Sequence, residues 1–196
     1  MKKLIVPVII LGLIAFWLFS AGKGFYNKAI LLKEDASAQW GKVESAYQRR
    51  SDLIPNLVEV VKGYAKHEKE TLEAVIKARA SATQTKVDAG NLTPEKMAQF
   101  QKAQQGLSGA LSRLLVSIEK YPELKADKRF AELQTELSRT ENRIKVERDR
   151  FNDAVKPYNN HIKTFPNNLF ASWFKMLPLD YFKAEEGSEK APKVKF

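Results

Sequence analysis

Imidazole is scarce in this chain: His67 and His161 are its two histidines, and it has no cysteine. The missing thiols rule out a cysteine nucleophile, a thiolate metal site, a disulfide scaffold and a lipid-modified cysteine. His67-Glu68 opens as a metalloprotease helix would. Thr71, however, stands where the second histidine must be to share the metal one turn on. No Glu-x-x-His pair exists, so the carboxylate–histidine signature of a di-metal helical bundle is missing. Nor is there a glycine-rich phosphate loop. Only scattered Asp and Glu remain for acid–base work. The expectation is a non-enzymatic protein without catalytic residues, metal or cofactor.

Two polar clusters are the remaining candidates for function. Arg49, Arg50, Asp52, Asn56 and Glu59 crowd around Pro55, with Tyr64 and His67 further along the same stretch. Glu141, Asn142 and Arg143 form a second group inside a later helical stretch. Buried polar groups need partners, and such networks specify geometry more than they add stability. One reading is that the two groups pair and set helix register. The other is that they form a docking surface for a protein.

The elements that carry these groups begin with an anchor. Leu4 to Gly22 holds no charged residue and is flanked by Lys2, Lys3 and Lys23. At 1.5 Å per residue it spans roughly 28 Å, near the hydrocarbon thickness of a bilayer. Trp17 lies towards its exit, where an amphipathic ring meets the interface. Pro7 falls in the first turn, where a missing N–H does little harm. A cleaved signal peptide is the competing reading. The apolar run is longer than the usual ~7–15 residues, and Phe19 spoils one cleavage site, leaving Ser20-Ala21-Gly22 as a weaker one. Apolarity on every face argues against a buried core helix. We expect residues 1–22 to be a single-pass membrane anchor, meeting the bilayer through residues 4–22. Acidic residues count little in the positive-inside rule, and the reading leans to an extracytoplasmic bundle.

From residue 23 to 165 the pattern is helical. Tyr26, Ile30, Ala36, Trp40, Val43 and Tyr47 mark one face, and Leu53, Leu57, Val61, Tyr64, Leu72, Val75 and Ile76 the next. Pro55 either opens a new helix capped by Ser51 or Asp52 or kinks a continuous one. A loop is expected over 87–91. Thr93-Pro94-Glu95 reads as cap, first helical position and dipole partner of a new helix. Met97, Phe100, Gln104, Leu107, Leu111, Leu114, Ile118 and Tyr121 then alternate three and four apart, a heptad seam ended at Tyr121-Pro122. Phe130, Leu133, Leu137, Thr140, Ile144, Glu147, Phe151, Val155 and Tyr158 give the last seam. No alternating strand pattern or solenoid repeat appears. The expected fold is all-α: an N-terminal transmembrane helix, then an antiparallel long-helix, four-helix-like bundle with coiled-coil packing.

Residues 166–183 differ. Leu169, Phe170, Trp173, Phe174, Met176, Leu177, Leu179, Tyr181 and Phe182 crowd together. This is either a cap folded on the bundle or a membrane or partner patch, with Phe170, Trp173, Phe174, Tyr181 and Phe182 as its candidates. Residues 184–196 are polar and charged and read as a disordered tail. The net charge is +10, from 33 basic and 23 acidic residues. It is spread thinly, with no basic stripe of the nucleic-acid kind, so no nucleic-acid partner is expected.

The run Arg49-Arg50-Ser51-Asp52-Leu53-Ile54-Pro55-Asn56-Leu57-Val58-Glu59, continued through Gly63-Tyr64-Ala65-Lys66-His67-Glu68, resembles the LemA family of bacterial membrane proteins. Tyr121-Pro122-Glu123-Leu124, Thr140-Glu141-Asn142-Arg143-Ile144, Phe151-Asn152-Asp153-Ala154-Val155, Tyr158-Asn159 and Phe165-Pro166 extend the likeness over roughly residues 23–183. Phe151 stands where the family usually has tyrosine, and Ala29-Ile30 where it usually has Leu-Val. The resemblance implies a single-pass helical-bundle membrane protein and brings no defined activity. The function expected is a membrane-anchored scaffold that organises itself or a protein partner. The alternative is an accessory or sensor subunit that binds a small ligand or regulates a membrane enzyme such as a protease.

Overall fold

A computed structural model describes residues 2–89 and 92–183; the tail at 184–196 and part of the loop at 87–91 lie outside the described residues. Among the described residues every regular element is a helix. In order they are α1 (Lys2–Tyr64), α2 (Lys69–Gln84), α3 (Pro94–Ile118), α4 (Pro122–Lys125), α5 (Lys128–Lys163) and α6 (Asn167–Trp173).

The spine is α1, 63 residues long, or about 95 Å. Its N-terminal part carries exposed Ile, Leu, Val, Phe and Trp side chains and is long and apolar enough to cross a membrane. From Phe25 onwards a single stripe is buried: Phe25, Ala29, Ala36, Trp40, Val43, Tyr47, Ile54, Leu57 and Val61. The spacing of three, four and seven is a heptad stripe. The expected face was off by one residue at its ends. Tyr26 and Ile30 are exposed beside buried Phe25 and Ala29, and Ile54 replaces Leu53 in the core.

Pro55 does not start a helix. It sits inside α1, and its neighbour explains how. Proline cannot donate to the carbonyl four residues back, which leaves Ser51 O free, and Arg79 Nε of α2 donates to that oxygen at 2.8 Å. The break falls later, at residues 65–68, and the expected continuous seam from Leu53 to Ile76 is therefore wrong. Lys66 to Thr71 offers six polar residues in a row, so a straight continuation would bury nothing. Folding back lets Leu72, Val75 and Ala82 join Leu107, Leu111 and Leu114 of α3 in one core. Tyr64 and Ile76, at the margins of this turn, are exposed.

Thr93 caps α3 as expected, its side chain accepting from Lys96 N, with Pro94 in the first turn. The seam from Met97 to Ile118 is buried throughout. Helix α3 stops at Ile118, three residues before Tyr121, and Tyr121-Pro122 instead begins the one-turn α4. Asp127 then caps α5 by accepting from Arg129 N and Phe130 N. Helix α5 returns antiparallel along α1. Tyr64 meets Asp127, Arg50 meets Glu141, Trp40 meets Phe151 and Phe25 meets His161. The seam leucines carry this packing. Leu114→Ala should cost about 2–5 kcal/mol, whereas exposed Lys102→Ala should stay within about 0.5 kcal/mol. Urea titrations of both variants check this, and equal small effects would place the seam outside the core.

After α6 the chain runs back along α5 as an extended strap fastened by two asparagines a heptad apart. Asn159 accepts from Leu179 N at 2.9 Å and donates to Leu179 O at 2.8 Å. Asn152 does the same to Phe182 N and O, at 2.8 and 3.1 Å. Each amide thus replaces a partner strand. The strap delivers Phe182 into the core, stacked on Trp40 with 5.7 Å between ring centroids. Phe182 is therefore a core residue and not part of an exposed patch.

Candidate functional site

Arg50 is the organising residue of the two polar clusters. It faces inwards from the last quarter of α1 and is 2% exposed. Its Nη1 donates to Ser108 Oγ at 2.8 Å and to Glu141 Oε2 at 2.9 Å. Its Nη2 donates to Gln104 Oε1 at 2.8 Å and to Gln104 O at 3.3 Å. The guanidinium also lies 5.1 Å from the Tyr47 ring centroid. One side chain therefore ties α1 to α3 and α5. A planar, permanently charged fork suits this role better than lysine would.

The other expected residues are placed around it without converging. Arg49 pairs with Glu136 at 2.9 Å. Hydrogen bonds from Arg49, and then from Arg139, hold the Glu136 carboxyl below its usual range. Arg143 meets Glu147 at 2.6 Å, and Arg150 meets the same oxygen at 3.0 Å. Glu147 is fully buried, and its second carboxylate oxygen has no hydrogen-bond partner. Asp52 accepts from Gln48, a neighbour on its own helix, and Glu59 lies 3.9 Å from Lys62. Asn56, His67 and Asn142 are exposed. Tyr64 Oη donates to Asp127 Oδ2 at 2.7 Å, which is foremost among the causes that lower the Asp127 pKa and raise that of Tyr64.

Gln104, Ser108, Glu136 and Glu147 complete the network and lie outside the two polar clusters read from the sequence. The signal for two of them was present: Gln104 and Glu147 are polar residues standing on heptad seams. Nothing in the local sequence marks Ser108 or Glu136, which matter only because α1 lies against them.

Beside this network, α1 floors an open groove of about 1320 Å³ that shares Arg49, Asp52, Gln104, Glu136 and Arg143 with it and is bordered by the end of α2, by α3 and by α5. Lys42, Gln48, Arg49 and Asp52 on α1 face Thr83 of α2 and Arg139 of α5 across it. The lining mixes apolar and polar surface, and its charges are of both signs. Glu44 also borders it, and burial pushes that carboxyl above its usual range. Among the described residues no three His, Asp or Glu side chains converge as a metal site would require. A guanidinium held by four hydrogen bonds, with its buried Nε left without a partner, and the ion pairs around it provide contacts and register. They do not provide a poised acid–base pair.

The C-terminal aromatics divide. Phe170 is half-buried, while Trp173, Phe174 and Tyr181 are exposed. Phe165, Leu169 and Leu177 are exposed beside them and were not in the expected patch.

A model of the LemA family matches residues 39–196. Among curated proteins, the chain is similar to magnetosome protein MamQ 2 of Paramagnetospirillum magneticum. The two are 27% identical over 186 residues, covering 84% of this chain and 66% of that protein. Magnetosome protein MamQ of Magnetospirillum gryphiswaldense is 26% identical over 201 residues, covering 92% and 72%. Protein LemA of Metamycoplasma hominis is 28% identical over 145 residues, covering 74% and 62%. The chain thus spans about two thirds of the length of these relatives.

Proposed function

The chain belongs to the LemA family, and from that premise we propose that it is a membrane-anchored, non-enzymatic scaffold holding a helical bundle at a bacterial inner membrane. The observation that carries the reading is the continuity of α1. The apolar segment and the central helix of the bundle are one uninterrupted helix. A flexible linker would let a tethered bundle swing; one built on its own membrane helix keeps a fixed bearing. The polar network at Arg50 fits this as a register device, and the groove beside it offers a mixed-charge surface to a protein partner or a second copy.

The groove also favours a second reading, an accessory or sensor subunit that takes a small polar ligand there or regulates a membrane enzyme such as a protease. Its openness and mixed charge resemble a protein-facing surface more than the mostly apolar, enclosing site that small ligands usually occupy.

The test is made on the full-length chain in native membranes. It should stay in the pellet through high-salt and carbonate washes, because a long apolar helix inserts far more firmly than charge attraction holds. A photocrosslinker at Gln48 or Asp52 should then capture one defined protein that a crosslinker at Lys120, on the surface outside the groove, does not. Release by salt alone would remove the anchor. Retention with no capture at the groove would remove the scaffold.

A further inference from the structure

Exposed apolar side chains crowd the end of the bundle on and around α6, with Leu177 further along the strap, beside Tyr158. Phe165 is 80% exposed, Leu169 61%, Trp173 81% and Leu177 77%. Leu169 and Trp173 are one helical turn apart on α6, on the same face. Water is a poor neighbour for such a cluster, and a contiguous exposed patch of this kind marks a contact surface.

The position of the patch along α1 is fixed by packing. A Cβ placed on Gly22 would lie 3.4 Å from the Phe170 ring, so α6 rests directly on the helix where the apolar segment ends. Phe25 stacks on Phe170 at 5.7 Å and on Phe174 at 6.3 Å, and Tyr26 meets Phe174 at 5.1 Å. His161 of α5 stacks on Phe25 at 4.9 Å, with its Nε2 3.1 Å from Phe25 O. Phe25 is about 4.5 Å along the helix from Gly22, within the headgroup layer that adds roughly 5–8 Å to each side of a bilayer. The patch is therefore held at the level where Trp and Tyr belts and amphipathic segments settle.

Charge agrees with this placement. Residues 154–179 contain Lys156, Lys163 and Lys175 and no Asp or Glu. Lys23 and Lys28 add to the same end of the molecule, where the first acidic residue of α1 is Glu34. Basic groups around an aromatic patch favour an anionic lipid surface.

We propose that α6 and its N-terminal flank, through Phe165, Leu169 and Trp173, are seated in the membrane–water interface beside α1. The protein then meets the bilayer at two places, a spanning helix and an interfacial foot, and two contacts fix the tilt of the bundle where one would let it swing. The foot rests on the anchor reading above, because its height is measured from the end of the spanning segment.

The chain's three tryptophans allow a direct test. Trp17 lies in the apolar segment, Trp40 is 0% exposed in the core, and Trp173 is on the foot. Full-length Trp17→Phe is placed in vesicles of phosphatidylcholine and phosphatidylglycerol whose acyl chains are brominated near the headgroup, with unbrominated vesicles as reference. The expected result is loss of the Trp173 share of the emission in brominated vesicles. The Trp17→Phe/Trp173→Phe variant, retaining only Trp40, should show no loss. Equal emission in the two lipids from Trp17→Phe, with protein still held through a carbonate wash, would overturn the foot while leaving the anchor standing. Release by carbonate would overturn both. A blue-shifted Trp173 emission that bromine does not touch would mean another protein or a second copy covers the patch, and would also overturn the proposal.

Discussion

Trp40→Ala is expected to destabilise the bundle by about 3–5 kcal/mol, the range for deleting a buried tryptophan. Trp40 is fully buried where four segments meet. Its ring packs edge-on against Phe100 of α3 at 5.1 Å and Phe151 of α5 at 5.5 Å, and stacks on Phe182 of the strap. Its Nε1 donates to Val87 O at 2.9 Å in the loop between α2 and α3. Alanine removes the packing, opens a void among three rings and strips a buried carbonyl of its donor. These losses fall on one site, so no neighbour can compensate for another. Trp40→Phe keeps an aromatic ring but not the donor, and should fall between wild type and alanine. Urea titration of the full-length chain in detergent, followed by circular dichroism, reads both. A Trp40→Ala variant within about 1 kcal/mol of wild type would mean that the strap and loop do not close over this face.

The same residue shows what was legible in the sequence. Trp40, Phe100 and Phe151 each stand on a heptad stripe, so their burial followed from periodicity. Phe182 does not. It sits in an irregular segment, and only the two asparagine clamps on α5 bring it inwards. Asn152 and Asn159 occupy equivalent heptad positions, a spacing that could have marked them as a pair, but their partners are backbone atoms that leave no sequence pattern. Pro55 was readable only as two alternatives, because tolerance of an internal proline depended on Arg79, 24 positions away. The turn at residues 65–68 was missed for the opposite reason. Heptad matching skipped over the polar run from Lys66 to Thr71, where the absence of anything to bury was itself the signal.

The anchor was the plainest feature of the sequence, yet its relation to the bundle was not. Nothing in composition distinguishes a spanning helix followed by a linker from one that continues as a bundle helix. The difference lies in Phe25 and Ala29, whose burial begins within a turn of Gly22 because α5 and α6 reach back that far. The C-terminal elements thus brace the Gly22 end of the bundle although they are distant from it in sequence. On the proposed anchored reading, that bracing would hold the groove at Arg49 and Asp52 at a set height above the bilayer.

Arg50→Ala is the second large effect, expected at about 3 kcal/mol. The four hydrogen bonds of the guanidinium are charge-assisted, and such bonds are worth about 1.5–3 kcal/mol each before desolvation is counted against them. Their loss leaves the Gln104 side chain short of a donor in a buried site and removes the apolar stem that packs beside Tyr47. Glu141→Ala should be milder, about 1 kcal/mol, because Glu141 is 54% exposed and water screens the pair. Arg50 would still keep Ser108 and Gln104. Arg50→Met fills the volume without the charge and should recover part of the loss, as apolar replacements of buried ion pairs often do. The order expected in a denaturant series is therefore Arg50→Ala lowest, Arg50→Met above it and Glu141→Ala nearest wild type. Crosslinking from Gln48 should weaken in the same order, since the groove floor lies on the helix that Arg50 positions. If Arg50→Ala melted like wild type, kept its crosslinked partner and still lost all function in the cell, Arg50 would be acting on a bound molecule and not on the bundle. The register role, and with it the non-enzymatic reading, would then be wrong.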